Sequence, residues 1–99
     1  MDIASRLRAR WVLLQTSREL ERLVLLAAQD PESDETAFEV IRRTRRRVRT
    51  AEVCDSAEAA NITREELIKA LKALHAGTHI GVLSHELIRR TLTELPNEP

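Results

Sequence analysis

The chain has 99 residues, 42% of them hydrophobic and 32% charged, with sixteen basic and sixteen acidic side chains and a formal net charge of zero. That length suits one domain with one modest core. The neutral total excludes a protein that works by global charge alone and shifts attention to how the charges are distributed. Two glycines and three prolines are too few turn signals for a run of hairpins, whereas Leu, Ala, Arg and Glu are good helix formers. The expected fold is all-α with four to five helices.

Apolar residues at three- and four-residue spacing, Ile3, Leu7, Trp11 and Leu14, then Leu20, Leu23, Val24 and Ala27, predict helix to about residue 29. Thr16 with Glu19 three residues later has the form of a capping box, so this region reads either as one helix or as two. Asp30-Pro31 ends it, because the residue before a proline is pushed out of helical geometry. Residues 11–14 and 23–28 are consecutive apolar runs, and a helix apolar on more than one face needs more than one covering surface. A homodimer is therefore expected, with Trp11, Leu14, Leu20, Leu23 and Val24 at its interface. The longest of these runs falls far short of the roughly 20 residues that cross a bilayer, and no membrane partner is expected. A lone Cys54, without a leader pattern, points to the reducing cytoplasm.

Ser33 or Asp34 is placed to cap a second helix over residues 35 to 49, whose core stripe is Phe38, Ile41 and Val48 with Arg45 in line. Charge is blocked here. Residues 30–41 hold five acids and no base, residues 42–50 hold six arginines and no acid, and residues 51–66 hold five acids against Arg64. Acids at the start of a helix and bases at its end suit the helix dipole, which accounts for part of the arginine block. Glu39 and Glu52 offer local partners to Arg43 and Arg49, each worth about 0.2 to 0.5 kcal/mol. The excess that remains favours an external anionic partner. Thr63 with Glu66 reads as a second capping box, starting a helix at Arg64 with Leu67, Leu71 and Leu74 buried and Gly77 as its left-handed cap. A last helix begins after Ser84, carries Leu87, Ile88, Leu92 and Leu95, and stops at Pro96.

The run from Asp55 to Leu71, DSAEAANITREELIKAL, resembles the helix-turn-helix of bacterial regulators of the Fis and lactose-repressor kinds. Ala57 stands where the two helices cross closely, Asn61 where the turn asks for left-handed geometry, and Ile62, Thr63 and Leu67 follow in order. The resemblance implies helices over 35 to 49, 53 to 60 and 64 to 76, the last lying in the major groove. It further implies Thr63, Arg64 and Lys69 as contacts; Lys72 continues the face of Lys69, and Arg42, Arg43, Arg45, Arg46, Arg47 and Arg49 are placed to supply phosphate neutralisation. The function so implied is that of a small dimeric DNA-binding protein, a transcriptional regulator or a DNA-architecture protein acting on duplex DNA. A helical protein-interaction module, such as an adaptor, a regulatory chaperone or an inhibitor, stays open beside it. Glu65 and Glu66, acids in the first turn of the reading helix, favour that protein partner.

An EF-hand-like reading of the same stretch, with Asp55, Ile62 and Glu66 at loop positions 1, 8 and 12, lacks ligands at Ala57 and Ala59. His75 and His79, four apart, are separated by Gly77 and have no acid or thiol close by in sequence, so neither metal nor cofactor is expected. Nucleophile elbows and phosphate loops are absent, and the sequence offers no basis for an enzyme.

Overall fold

The computed structural model describes residues 3–32, 35–53, 57–75 and 77–96. The fold is all-α, with four helices: α1 (Ile3–Gln29), α2 (Glu35–Val53), α3 (Ala57–Ala73) and α4 (His79–Glu94). Helix α1 lies against α2 and α4, and α3 lies against the same two, so the four form an elongated bundle 44 Å long. At 1.5 Å per residue, the 27 residues of α1 span about 40 Å. One helix therefore sets the length of the molecule.

Helix α1 is unbroken at Thr16. Thr16 is buried and its hydroxyl lies 2.7 Å from that of Thr91 on α4. Since the Thr91 hydroxyl gives its one proton to the Leu87 carbonyl (2.9 Å), Thr16 must be the donor between them. A threonine that looked like a cap is a polar tie between two helices. The buried edge of α1 is Ala9, Val12, Leu13, Thr16, Leu20, Leu23 and Ala27. This stripe recurs every three or four residues along the helix, and it leaves Ile3, Leu7 and Trp11 on the outer side.

Helix α2 buries Ala37, Val40, Ile41, Thr44, Val48 and Ala51, with Phe38 partly buried, and it continues a turn beyond the expected end at residue 49. Its proposed caps, Ser33 and Asp34, lie outside the described residues, as do Cys54, Asp55 and Ser56.

Helix α3 corrects the expected break. It runs without interruption through Asn61, Ile62 and Thr63, and among the described residues no non-glycine residue has positive φ. Its buried residues Thr63, Leu67, Ala70 and Leu74 follow one another at i, i+4, i+7 and i+11. The Thr63 hydroxyl bonds back to the Ala59 carbonyl at 2.8 Å, inside the helix. With residues 57–66 helical, the EF-hand-like loop is also excluded.

Helix α4 starts at His79, earlier than expected. Thr78 is its cap, accepting the Gly81 amide at 2.9 Å. Ser84 lies fully buried within the helix, where its hydroxyl donates to the Ile80 carbonyl. Gly81 is required by close approach: a Cβ there would clash with the His75 carbonyl oxygen. Gly77 does not take the left-handed cap geometry expected of it. Among the described residues no helix is long and apolar enough to cross a membrane.

Candidate nucleic-acid interface

Ten side chains on α2 and α3 were expected to meet DNA, and the structure divides them. Thr63 is buried and spends its hydroxyl on Ala59, so it presents nothing to a ligand. Arg64 folds over the end of α4, where its guanidinium donates to the carbonyls of Leu92 (3.5 Å), Leu95 (3.4 Å) and Pro96 (3.0 Å). Leu92 lies in the last turn of α4, whose carbonyls lack amide partners within the helix, and Leu95 and Pro96 lie just past its end, where a cation also suits the negative end of the dipole. Arg64 is thus a cap for α4. Lys69 is exposed and pairs with Glu66 at 3.7 Å, rather than with Glu65, while Lys72 is exposed in the last turn of α3.

The arginines of α2 form the coherent feature. Opposite the buried stripe, Arg42, Arg43, Arg46, Arg47 and Arg49 are all exposed. At about 100° per residue they occupy an arc of roughly 160°, and residues 42 to 49 cover about 10 Å of helix axis. Arg42 is engaged by Glu39 at 3.0 Å and lies over the Phe38 ring, 6.0 Å from its centroid. Among the described residues no carboxylate lies within ion-pair distance of Arg43, Arg46, Arg47 or Arg49. The local partners expected for Arg43 and Arg49 are not engaged, Glu39 having turned to Arg42.

Arg45 belongs to a different surface. It is half-buried between α1 and α2, 3.8 Å from Glu21, with its Nε buried and without a partner. Helix α2 thus offers four guanidinium groups on one face without a carboxylate partner among the described residues, with Arg45 held inward against α1.

The residues expected at a dimer interface divide in the same way. Leu20 and Leu23 are buried in the chain's own core, so they are unavailable to a second copy, and Val24 packs partly against that core. Leu14 is half-buried. Only Trp11 is largely exposed, at 53%, with the Arg8 guanidinium 5.7 Å from its ring centroid. On α1 the other exposed apolar residues are Ile3, Leu7, Leu25 and Leu26, and Ile68, expected beside the buried face of α3, is exposed as well. The usable signal was the longer competing stripe from Ala9 to Ala27, which leaves no room for Ile3 and Leu7 on the same side.

The concave features are shallow or small. The groove between α1 and α4 is lined by Glu19, Arg22, Glu86, Arg89 and Arg90 and is crossed by the Arg90–Glu19 pair at 2.7 Å. The enclosed space near Ala9, Asn61 and Leu95 is about 10 Å³, less than a ligand needs. His75 and His79 are both exposed at the link between α3 and α4, and among the described residues no group of three or more metal-binding side chains comes together.

Compared with protein-family models, with curated proteins and with solved structures, the chain finds no match.

Proposed function

We propose that this chain is a small helical DNA-binding protein whose working surface is the exposed arginine face of α2. The observation that carries the reading is the set Arg43, Arg46, Arg47 and Arg49, exposed together and without carboxylate partners among the described residues. Guanidinium groups match phosphate oxygens in geometry and charge, and phosphate neutralisation supplies most sequence-independent affinity for duplex DNA. The 10 Å of α2 involved corresponds to about three base steps at 3.4 Å each, enough phosphates on two strands to engage four cations. With Thr63 buried and Arg64 committed to α4, base reading from α3 has no support. The proposed activity is accordingly backbone binding, as in DNA architecture or in a regulator that draws specificity from elsewhere.

A second reading, a helical protein-interaction module, is favoured by the exposed Ile3, Leu7 and Trp11 on α1. The two separate on one experiment. Fluorescence anisotropy with a labelled 20-base-pair duplex at low salt should show binding by the wild type, and at least a ten-fold loss for Arg43→Ala/Arg46→Ala/Arg47→Ala. No binding by either protein refutes the DNA reading.

A further inference from the structure

The outer face of α1 carries an apolar line that the bundle leaves uncovered. Ile3 is 74% exposed, Leu7 61%, Trp11 53% and Leu25 60%, with Leu14 half-buried between them. At about 100° per residue, Ile3, Leu7, Trp11, Leu14 and Leu25 fall within roughly 80° of one another, and Arg18 and Glu21 are the charged interruptions. We propose that a second copy of this chain covers this face, with the two α1 helices antiparallel about a two-fold axis at Leu14.

The choice of occupant follows from the order of residues along the helix. Positions 3 and 25 are equidistant from 14, so the axis places Ile3 on the partner's Leu25 and Leu14 on the partner's Leu14. It also sets Trp11 beside the partner's Arg18, a guanidinium next to an indole ring. The flanks agree. Arg6 comes level with the partner's Glu21, and Arg8 with the partner's Glu19, each pair lying on a common edge of the stripe.

Charge makes the orientation decisive. On either side of Leu14, residues 3–13 contain three arginines and no acid, whereas residues 15–25 contain Glu19 and Glu21 with Arg18 and Arg22. Antiparallel pairing lays the basic half on the half that holds both carboxylates and has no net charge. Parallel pairing would stack Arg6, Arg8, Arg10 and Arg18 on their own copies. Glu19 and Glu21 already meet Arg90 and Arg45 within the chain, but both carboxylates stay about half exposed and have acceptor sites to spare. The contact from residue 3 to residue 25 is about 33 Å long, with the helix axes 8 to 10 Å apart. Because it uses α1 and not the α2 arginines, this interface stands independently of DNA binding.

The test uses the full chain. Light scattering after size exclusion should give twice the 11.3 kDa of one chain, and Leu7→Glu, which sets a carboxylate against the partner's Glu21, should weaken dimerisation at least ten-fold with helicity unchanged. Orientation is read by disulfide capture in a Cys54→Ser background. Leu14→Cys should cross-link to itself, Ile3→Cys should cross-link to Leu25→Cys when the two are mixed, and Leu7→Cys should not cross-link to itself. A wild-type mass of one chain at 200 μM, flotation of single chains with anionic vesicles, a dimer indifferent to Leu7→Glu, or Leu7→Cys cross-linking as fast as Leu14→Cys would each overturn the proposal.

Discussion

Replacing Asn61 by alanine asks directly whether the chain is helical or turned at that position. Asn61 is exposed, lies in the fifth position of α3, and has no hydrogen bond among the described residues that alanine would lose. In helix, Asn is up to about 0.7 kcal/mol less favourable than Ala, so Asn61→Ala should stabilise the protein by about 0.6 kcal/mol. For a chain of this size that raises Tm by about 2 to 5 °C. A left-handed Asn61 reverses the sign: alanine would then cost about 1 to 2 kcal/mol. Asn61→Gly makes the matching control, destabilising by about 0.3 kcal/mol in helix and stabilising in a turn. Urea unfolding of the three proteins, followed by far-ultraviolet circular dichroism, supplies both signs. A lower midpoint for Asn61→Ala together with a higher one for Asn61→Gly would refute a continuous α3.

Gly81→Ala should cost about 1 to 3 kcal/mol by urea unfolding, since the added Cβ meets the His75 carbonyl oxygen and lies 2.8 Å from the Thr78 hydroxyl. Gly77→Ala, with nothing within 4 Å of its Cβ, should be neutral or stabilising by up to about 1 kcal/mol. Arg64→Ala should lower stability by about 1 kcal/mol through the lost carbonyl contacts at the end of α4 while leaving the DNA affinity of the folded protein unchanged in anisotropy titrations. For the buried hydroxyl pair, Thr16→Val and Thr91→Val should each cost about 1 kcal/mol. The double variant, measured by thermal unfolding, should cost less than their sum, because neither threonine then lacks its partner.

Helix type was legible where local and long-range preferences agree. The run before Asp30-Pro31 is helical, although Ile3, Leu7 and Trp11 in it are exposed, and Ile41, Val48, Leu67, Leu87 and Ile88 are helical and buried as their spacing predicts. Boundaries were less legible where a hydroxyl residue has two local solutions. Thr16, Thr63 and Ser84 each look like a cap, yet in mid-helix each is buried: Thr63 and Ser84 donate to the carbonyl four residues back, and Thr16 donates to Thr91. Neighbouring residues do not distinguish these solutions. Burial does, and burial depends on helices distant in sequence. For the same reason the arginine block reads correctly as a block, while the inward turn of Arg45 onto Glu21 and the use of Arg64 on α4 depend on partners 24 and 28 or more residues away.

The central claim, that the α2 arginines engage DNA phosphates, is tested most directly by the salt dependence of binding. Four neutralised phosphates predict a slope of log K against log salt of about −3.6 for each chain bound. Between 50 and 200 mM salt that is a loss of roughly 150-fold in affinity. Arg46→Ala/Arg47→Ala should halve the slope to about −1.8, leaving a loss of about 12-fold over the same range. A wild-type slope near zero, or an unchanged slope in the double variant, would contradict the account.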